Sequence, residues 1–540
     1  MRVSGNIVDV LNKEIFPGTI EFRDGIIASI VKERHRYETY ILPGFIDAHC
    51  HIESSMLCPS EFARIASTHG TVATISDPHE IANVLGIDGV YFMMENGKQV
   101  PFNFYFGAPS CVPATPFETS GASIDIEAIE MLLKNPQIKY LGEMMNFPGV
   151  INNDPLVMNK IVIAKKYNKP VDGHAPGLSE EALRKYIDAG ITTDHETFTY
   201  EEGEEKISLG MKLIIREGSA AKNFDTLSPL IEKYPDSCML CSDDKHPDDL
   251  TRGHINSIVK KAIFLGIDPM KVLKSACINP VFHYNLDIGL LRIQDWADFI
   301  EVDDLVNLNI IKVYIKGEIV TENRASKISS IKPDYVNRFE AKPKMPYDFA
   351  LPGNNKRIAN IIEAINDQII TGWIKLPLNP EKGFFRTDIE KDILKIALIC
   401  RYADKPPVVA FVKNFGLKKG AIASSVSHDS HNIVAVGTND EDLSRAVNLI
   451  IENKGGLAIA AADTEEVLPL PVAGLMADGD GYRIGERYSI IDSLTKKFGS
   501  NLYSPFMTLS FMALPVIPRL KLTGKGLFNV DESRFIDVFE

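Results

Sequence analysis

Between residues 44 and 244 the chain alternates eight short apolar runs with segments of helical texture. The runs are GFIDAHCH (44–51), TVATISDPHE (71–80), NFYFGAPS (103–110), IKYLGEMM (138–145), KPVDGHAP (169–176), ITTDHE (191–196), KLIIREGS (212–219) and CMLCSDD (238–244). Intervening segments such as SEFARIAST, DPLVMNKIVIAKKY and SEEALRKYIDA close on Gly, Asn or Pro, as helices do. Eight β–α repeats predict a parallel (β/α)8 barrel of the TIM type. A doubly wound open sheet is the rival, and it offers no reason to stop at eight.

The polar residues of these runs fall at their C-terminal ends. His49, His51, Asp77, His79, Glu80, Glu143, His174, His195, Asp243 and Asp244 all lie there. In a barrel those ends meet on one face, where active sites are built. Ile41 to Ile46 reads as a strand interrupted by Pro43 and Gly44, leading into the H-x-H pair of His49 and His51. Side chains two apart on a strand point the same way, so both imidazoles leave one face. Neutral imidazole is a common ligand for Zn, Fe and Mn. With Glu143, His174, His195 and Asp243 the set reaches four imidazoles and two carboxylates. That is enough for two divalent ions sharing a bridging carboxylate, which together supply hydroxide at neutral pH. Lys139 lies on the fourth run, on the same face as Glu143. Four residues at ~3.3 Å each place it roughly 13 Å deeper, so Glu143 is the better bridge.

Around this centre the sequence divides into further parts. Residues 1–42 read as hairpin strands, with a turn at Asp24-Gly25, and form the N-terminal part of a small β domain. The barrel occupies 43–284, and 285–330 returns to strand texture to complete the small domain. A linker rich in Lys and Pro leads to a second α/β body over 345–540. That body carries an H-x-x-H, His428 and His431, in the stretch SVSHDSHN.

Net charge of −14 argues against a nucleic-acid partner. No apolar stretch reaches the ~18 residues of a membrane span, and MRVSGNIVDV lacks the basic n-region of a signal peptide. Seven cysteines, an odd number, fit reduced thiols in the cytoplasm. His51-Ile52-Glu53 followed by Cys238-x-x-Cys241 superficially matches the zinc nucleobase deaminases of another fold, which use H-x-E and P-C-x-x-C. Ser237 replaces the required Pro, and each half sits naturally on a barrel strand.

The ligand pattern resembles the metal-dependent amidohydrolase superfamily: H-x-H on strand 1, a carboxylate or carboxylated Lys on strand 4, His on strands 5 and 6, Asp on strand 8. Within it, PGFIDAHCHIESSM, DPHEIANVLG, EMMNFPGV, DGHAPG, TDHE, CSDDKHPDDL and SVSHDSHNIVAVGT resemble the bacterial-type adenine deaminase family. So do LPLPVAGLM and LPVIPRLKLT in the C-terminal body, which most other amidohydrolases lack. The resemblance implies Glu143 as the bridge, manganese or ferrous iron as the metal, a homodimer, and hydrolytic deamination of adenine to hypoxanthine in purine salvage. The N/O ligand set also suits zinc.

On that reading a hydroxide attacks C6 of adenine while an acid protonates the ring. Asp243 is the expected proton shuttle, and the adjacent Asp244 is its alternative. Asp77, His79 and Glu80 contact substrate or move protons; ordinary helix capping is the competing account. His428 and His431 form a lid over the mouth or hold an extra ion; a polar turn between strands is the bland alternative. Two rivals stand outside this reading. One is an amidohydrolase of a cyclic amide or imidazolone, and the other is a non-catalytic scaffold, which would be expected to have lost ligands.

Overall fold

The computed structural model describes residues 1–353 and 355–540. Among them, eight parallel strands form the centre: β1 (Phe45–Cys50), β2 (Thr71–Ser76), β3 (Asn103–Ala108), β4 (Ile138–Met144), β5 (Val171–Gly173), β6 (Thr193–Asp194), β7 (Lys212–Arg216) and β8 (Cys238–Cys241). They pair in order from β1 to β5 and from β6 to β8. Two seams close the ring. Between β5 and β6, Thr192 N–H donates to the Val171 carbonyl at 2.9 Å. Between β8 and β1, Asp243 N–H donates to the His49 carbonyl at 3.0 Å. The second seam therefore runs through the backbones of two expected metal ligands. Every residue of β1, β2 and β8 is buried, which is why these runs are nearly continuous in apolar residues.

The helices begin where short polar side chains can satisfy their free N–H groups. Asp125 caps Ile126–Lys134 by accepting from Ala128 N–H at 2.8 Å. Asp154 caps Pro155–Lys166, with Pro155 in the first turn where no N–H is needed.

The strand expected over Ile41 to Ile46 is two strands. Tyr40–Pro43 belongs to another sheet, and the barrel strand starts at Phe45. Gly44 sits at the switch. A Cβ there would lie 2.3 Å from Val72 Cγ1, so the chain crosses β2 too closely for any side chain. Tyr40–Pro43 is the join between the two halves of the small domain. It pairs in parallel with Arg2–Asp9 and antiparallel with Phe299–Val302. The resulting eight-stranded sheet packs Ile7, Ile20, Phe22, Ile41, Phe299 and Tyr314 into its own core.

The C-terminal body is a second eight-stranded sheet, largely antiparallel, with Asp440–Glu452 packed on one face. Its helix Gly481–Lys497 lies against the barrel helices Pro59–Ala66 and Pro247–Arg252. All seven cysteines are free and buried; Cys238 and Cys241 are the ends of β8. No helix among the described residues is long and apolar enough to cross a membrane.

Behind the site, Lys206 is fully buried. Its Nζ lies 2.9 Å from Asp194 Oδ2 and 2.7 Å from Glu202 Oε1, and donates to the Ala175 carbonyl at 3.0 Å. Burial works to raise the Asp194 pKa, but Lys206 holds that carboxyl below its usual range. Removing the cation strands a buried charge. Lys206→Met is expected to lower unfolding free energy by about 3–5 kcal/mol in urea titrations at neutral pH. Because the folded pKa is depressed, Asp194 contributes above the unfolded value of about 3.9 and loses that contribution as pH falls below it. The gap between wild type and variant should therefore narrow in acid.

Candidate active site

The six expected ligands converge at one end of the barrel, all buried. His49 Nε2 and His51 Nε2 are 3.2 Å apart, and both face Asp243 Oδ1, at 3.7 and 3.3 Å. The two oxygens of Glu143 face different imidazoles. Oε1 lies 3.4 Å from His51 Nε2, whereas Oε2 lies 2.7 Å from His174 Nδ1 and 3.2 Å from His195 Nε2. Glu143 thus joins the set of His49 and His51 to that of His174 and His195, and it forms a further set with Asp77 and His79. Within each set the donor atoms lie no more than 4.8 Å from one another. Two imidazole nitrogens facing each other and a carboxylate are a poor hydrogen-bonded arrangement but a good N/O cradle, and this donor set fits divalent cations. Lys139 Nζ sits 5.7 Å over the Tyr105 ring, directed elsewhere.

Asp243 and Asp244 have separate surroundings. Asp243 takes φ 51°, a sparsely populated conformation for a non-glycine residue. Its Oδ2 accepts from Arg216 Nη1 at 2.6 Å, which leaves Oδ1 to the imidazoles. Burial opposes ionisation, yet Arg216 and His51 hold the Asp243 carboxyl well below its usual range. Asp244 instead accepts from Ser54 Oγ at 2.5 Å, and burial raises its pKa. Glu143 is likewise held down against burial by His174 and His195.

The residues after β2 do more than start a helix. Asp77 gives the helix His79–Leu85 no side-chain cap. Its Oδ2 accepts from Glu143 N–H at 2.9 Å, and its carbonyl lies 3.0 Å from His51 Nδ1. Asp77 therefore aligns the fourth-strand carboxylate and a first-strand imidazole. His79 Nδ1 lies 3.5 Å from Glu143 Oε1. Glu80 reaches the other way, with one oxygen hydrogen-bonded to His428 Nδ1 and the other to His431 Nε2. The H-x-x-H of the C-terminal body thus closes over the barrel mouth. Burial opposes charge on both partners. Glu80 is nonetheless held well below its usual range by the two imidazoles, and His428 is pushed up to about 9 by Glu80 and Asp244.

The cavity has members that sequence reading missed. Arg216, at the end of β7, is buried and binds both oxygens of Glu196 as well as Asp243. Both residues line the cavity, as does Asp429. The signal for Arg216 and Glu196 was present, since each stands at a C-terminal strand end in the runs KLIIREGS and ITTDHE. The apolar wall carried no signal. Met145 and Ala221 come from barrel loops, but Ile369, Phe511, Leu514 and Ile517 come from the C-terminal body.

Ligands delivered from five strand ends to one buried point place the barrel among metal-dependent hydrolases, and residues 40–320 match the amidohydrolase family model. Residues 368–534 match the adenine deaminase C-terminal domain. Relatives named adenine deaminase align along almost the whole chain. The one from Sulfurovum sp. is 54% identical over 540 residues, covering 99% of both proteins. Those from Salinibacter ruber and Methanosarcina barkeri are each 50% identical, covering 99% of this chain and 98% of the relative. The chain belongs to the adenine deaminase family.

Arg216 offers a test of the site's internal support. Lysine keeps the charge but not the planar fork that grips Glu196 and Asp243 together. Arg216→Lys is expected to lower kcat/KM by about 10–100-fold, the usual effect of losing support for a metal ligand. Metal content measured alongside should fall less than activity.

Proposed function

We infer that this protein catalyses hydrolytic deamination of adenine: a C6–O bond forms from water, the C6–N bond breaks, and hypoxanthine and ammonia leave. The observation that carries the substrate is family membership along 99% of the chain, including the C-terminal body. The buried N/O donor set supports the reaction type.

His49, His51, Glu143, His174, His195 and Asp243 are the residues we assign to hold divalent ions, two per chain with Glu143 between them. Manganese or ferrous iron is the proposed metal. When bound, such a pair supplies the Lewis acidity that makes water nucleophilic near neutral pH. The remaining work falls to the chain. Asp243 Oδ1, facing the imidazoles, takes the nucleophile's proton and returns it to the departing amino nitrogen. Arg216 holds the other oxygen and keeps the carboxylate ionised between turnovers. The hydrogen-bonded Glu80–His428 pair is the group we assign to protonate the ring nitrogen as C6 becomes tetrahedral: the imidazolium stores the proton, Glu80 passes it on, and His431 holds the second Glu80 oxygen. His79, between Glu143 and Asp429, orients substrate. The apolar wall excludes water and lies against the purine face. We also propose a cytoplasmic homodimer, whose oligomeric state light scattering would read directly.

Purified enzyme supplied with Mn or Fe should release ammonia from adenine. Turnover of a cyclic amide with no release from adenine would reject the assignment. Glu143→Gln should lose or weaken the metal pair along with activity, whereas Lys139→Met should keep both; elemental analysis of the two variants separates them, and the reverse result removes Glu143 as the bridge. His428→Ala and His431→Ala should each lower kcat by about 10²-fold, the scale of a supported acid–base group, while the ions stay bound. Full turnover in both variants would reduce their contact with Glu80 to a structural clasp.

A further inference from the structure

We propose that Lys521 is the positioning residue of the adenine-facing wall, its Nζ joining the Ile369 and Phe511 carbonyls from behind. The proposal rests on the cavity being the adenine site. Lys521 lies in the stretch LPVIPRLKLT, on the strand Leu520–Thr523, and is fully buried. Its Nζ donates to the Ile369 carbonyl at 2.9 Å and to the Phe511 carbonyl at 2.8 Å. Those carbonyls belong to two of the four apolar residues that the C-terminal body contributes to the cavity lining. One precedes the strand Thr371–Pro377, and the other ends the helix Pro505–Phe511. One amino group therefore ties together two pieces of chain that approach the cavity from different directions.

The wall it fastens is a separate apolar cluster. Ala220, Ile369, Met507, Phe511, Leu514 and Ile517 pack with one another and not into the main core. Such a cluster spans a barrel loop and the C-terminal body and owes little to either interior, so its exact spacing needs an added constraint. A lysine is an expensive one. Burial alone pushes its pKa down to about 7, and lysine is seldom fully buried without a charged partner. A methionine would fill the same space at less desolvation cost but could not donate to the carbonyls. The consequences extend past the wall. The Phe511 ring stacks on His428 with centroids 4.4 Å apart and planes at 13°, and His428 is hydrogen-bonded to Glu80. Lys521 thus sets both the width of the slot for a flat ring and the seat of an imidazole above it.

The test is Lys521→Met in the full-length, metal-loaded protein. We expect intact metal content, an adenine KM raised about tenfold and kcat lowered less than about threefold, the pattern of lost binding with the reacting groups in place. Discrimination against 2,6-diaminopurine, which carries one more amino group, should weaken by about fivefold as the slot loosens. Lys521→Gln keeps N–H donors on a shorter stem and should fall between wild type and methionine. Unchanged KM and unchanged discrimination in soluble, metal-replete Lys521→Met would overturn the proposal. So would failure of both variants to fold, which would make Lys521 a stability element only. If methionine alone fails to fold, glutamine decides: an intermediate KM supports the role and a wild-type KM removes it. Absence of ammonia release from adenine by wild type is a different outcome, and it would sink the adenine reading itself.

Discussion

One carboxylate organises the site. Glu143 is buried at the end of β4, where an isolated charge would be several kcal/mol unfavourable. Imidazoles from β1, β5 and β6 approach its two oxygens, His79 approaches from the helix after β2, and Asp77 fixes its own N–H. Only a closed ring of parallel strands brings groups so distant in sequence to one carboxylate, because all the C-terminal ends rise on the same face. Closure and chemistry are therefore linked. The bond from Asp243 N–H to the His49 carbonyl seals the barrel and at the same time sets two ligands beside each other.

The barrel alone would leave this centre open to water. The C-terminal body covers it from above, with His428 and His431 on Glu80 and with an apolar wall around the remaining space. Excluding water strengthens every electrostatic contact inside and removes a competing hydrogen-bond partner for each polar group. A site assembled from two bodies constrains both.

What could be read from sequence follows from geometry of short range. The period of the strands, the two-residue spacing of His49 and His51, and the placement of Glu143, His174, His195 and Asp243 at run ends are local patterns. A barrel maps each of them to a known face. For Asp77 and Glu80 the sequence left two accounts standing, because a carboxylate at a helix start looks the same whether it caps the helix or turns inward. Nothing in the spacing of Ile369, Leu514 and Ile517 reveals that they meet Ala221, since their approach depends on how the second body docks. Arg216 was legible in principle. Its position at a strand end marks it, but a lone basic residue there attracts less notice than an imidazole.

On the proposed function, charge balance divides the cavity between metal and substrate. Glu80, Glu143, Glu196, Asp243, Asp244 and Asp429 line it, and among the described lining residues Arg216 is the one permanent cation. Arg216 is committed to Glu196 and Asp243. Glu80 has its own counter-ion, because His428 is pushed up to about 9 by Glu80 and Asp244 after burial works in the opposite direction. Burial pushes Asp429 up to about 6, with His79 pulling the other way. The carboxylate oxygens of Glu143 and the Asp243 oxygen that Arg216 does not hold face only imidazoles. Divalent ions held there, as we propose, would supply positive charge and reverse the local preference of acids for their neutral forms. At the Glu80 end the charge is already balanced by side chains, and that leaves it suited to a neutral, flat base with protons to exchange.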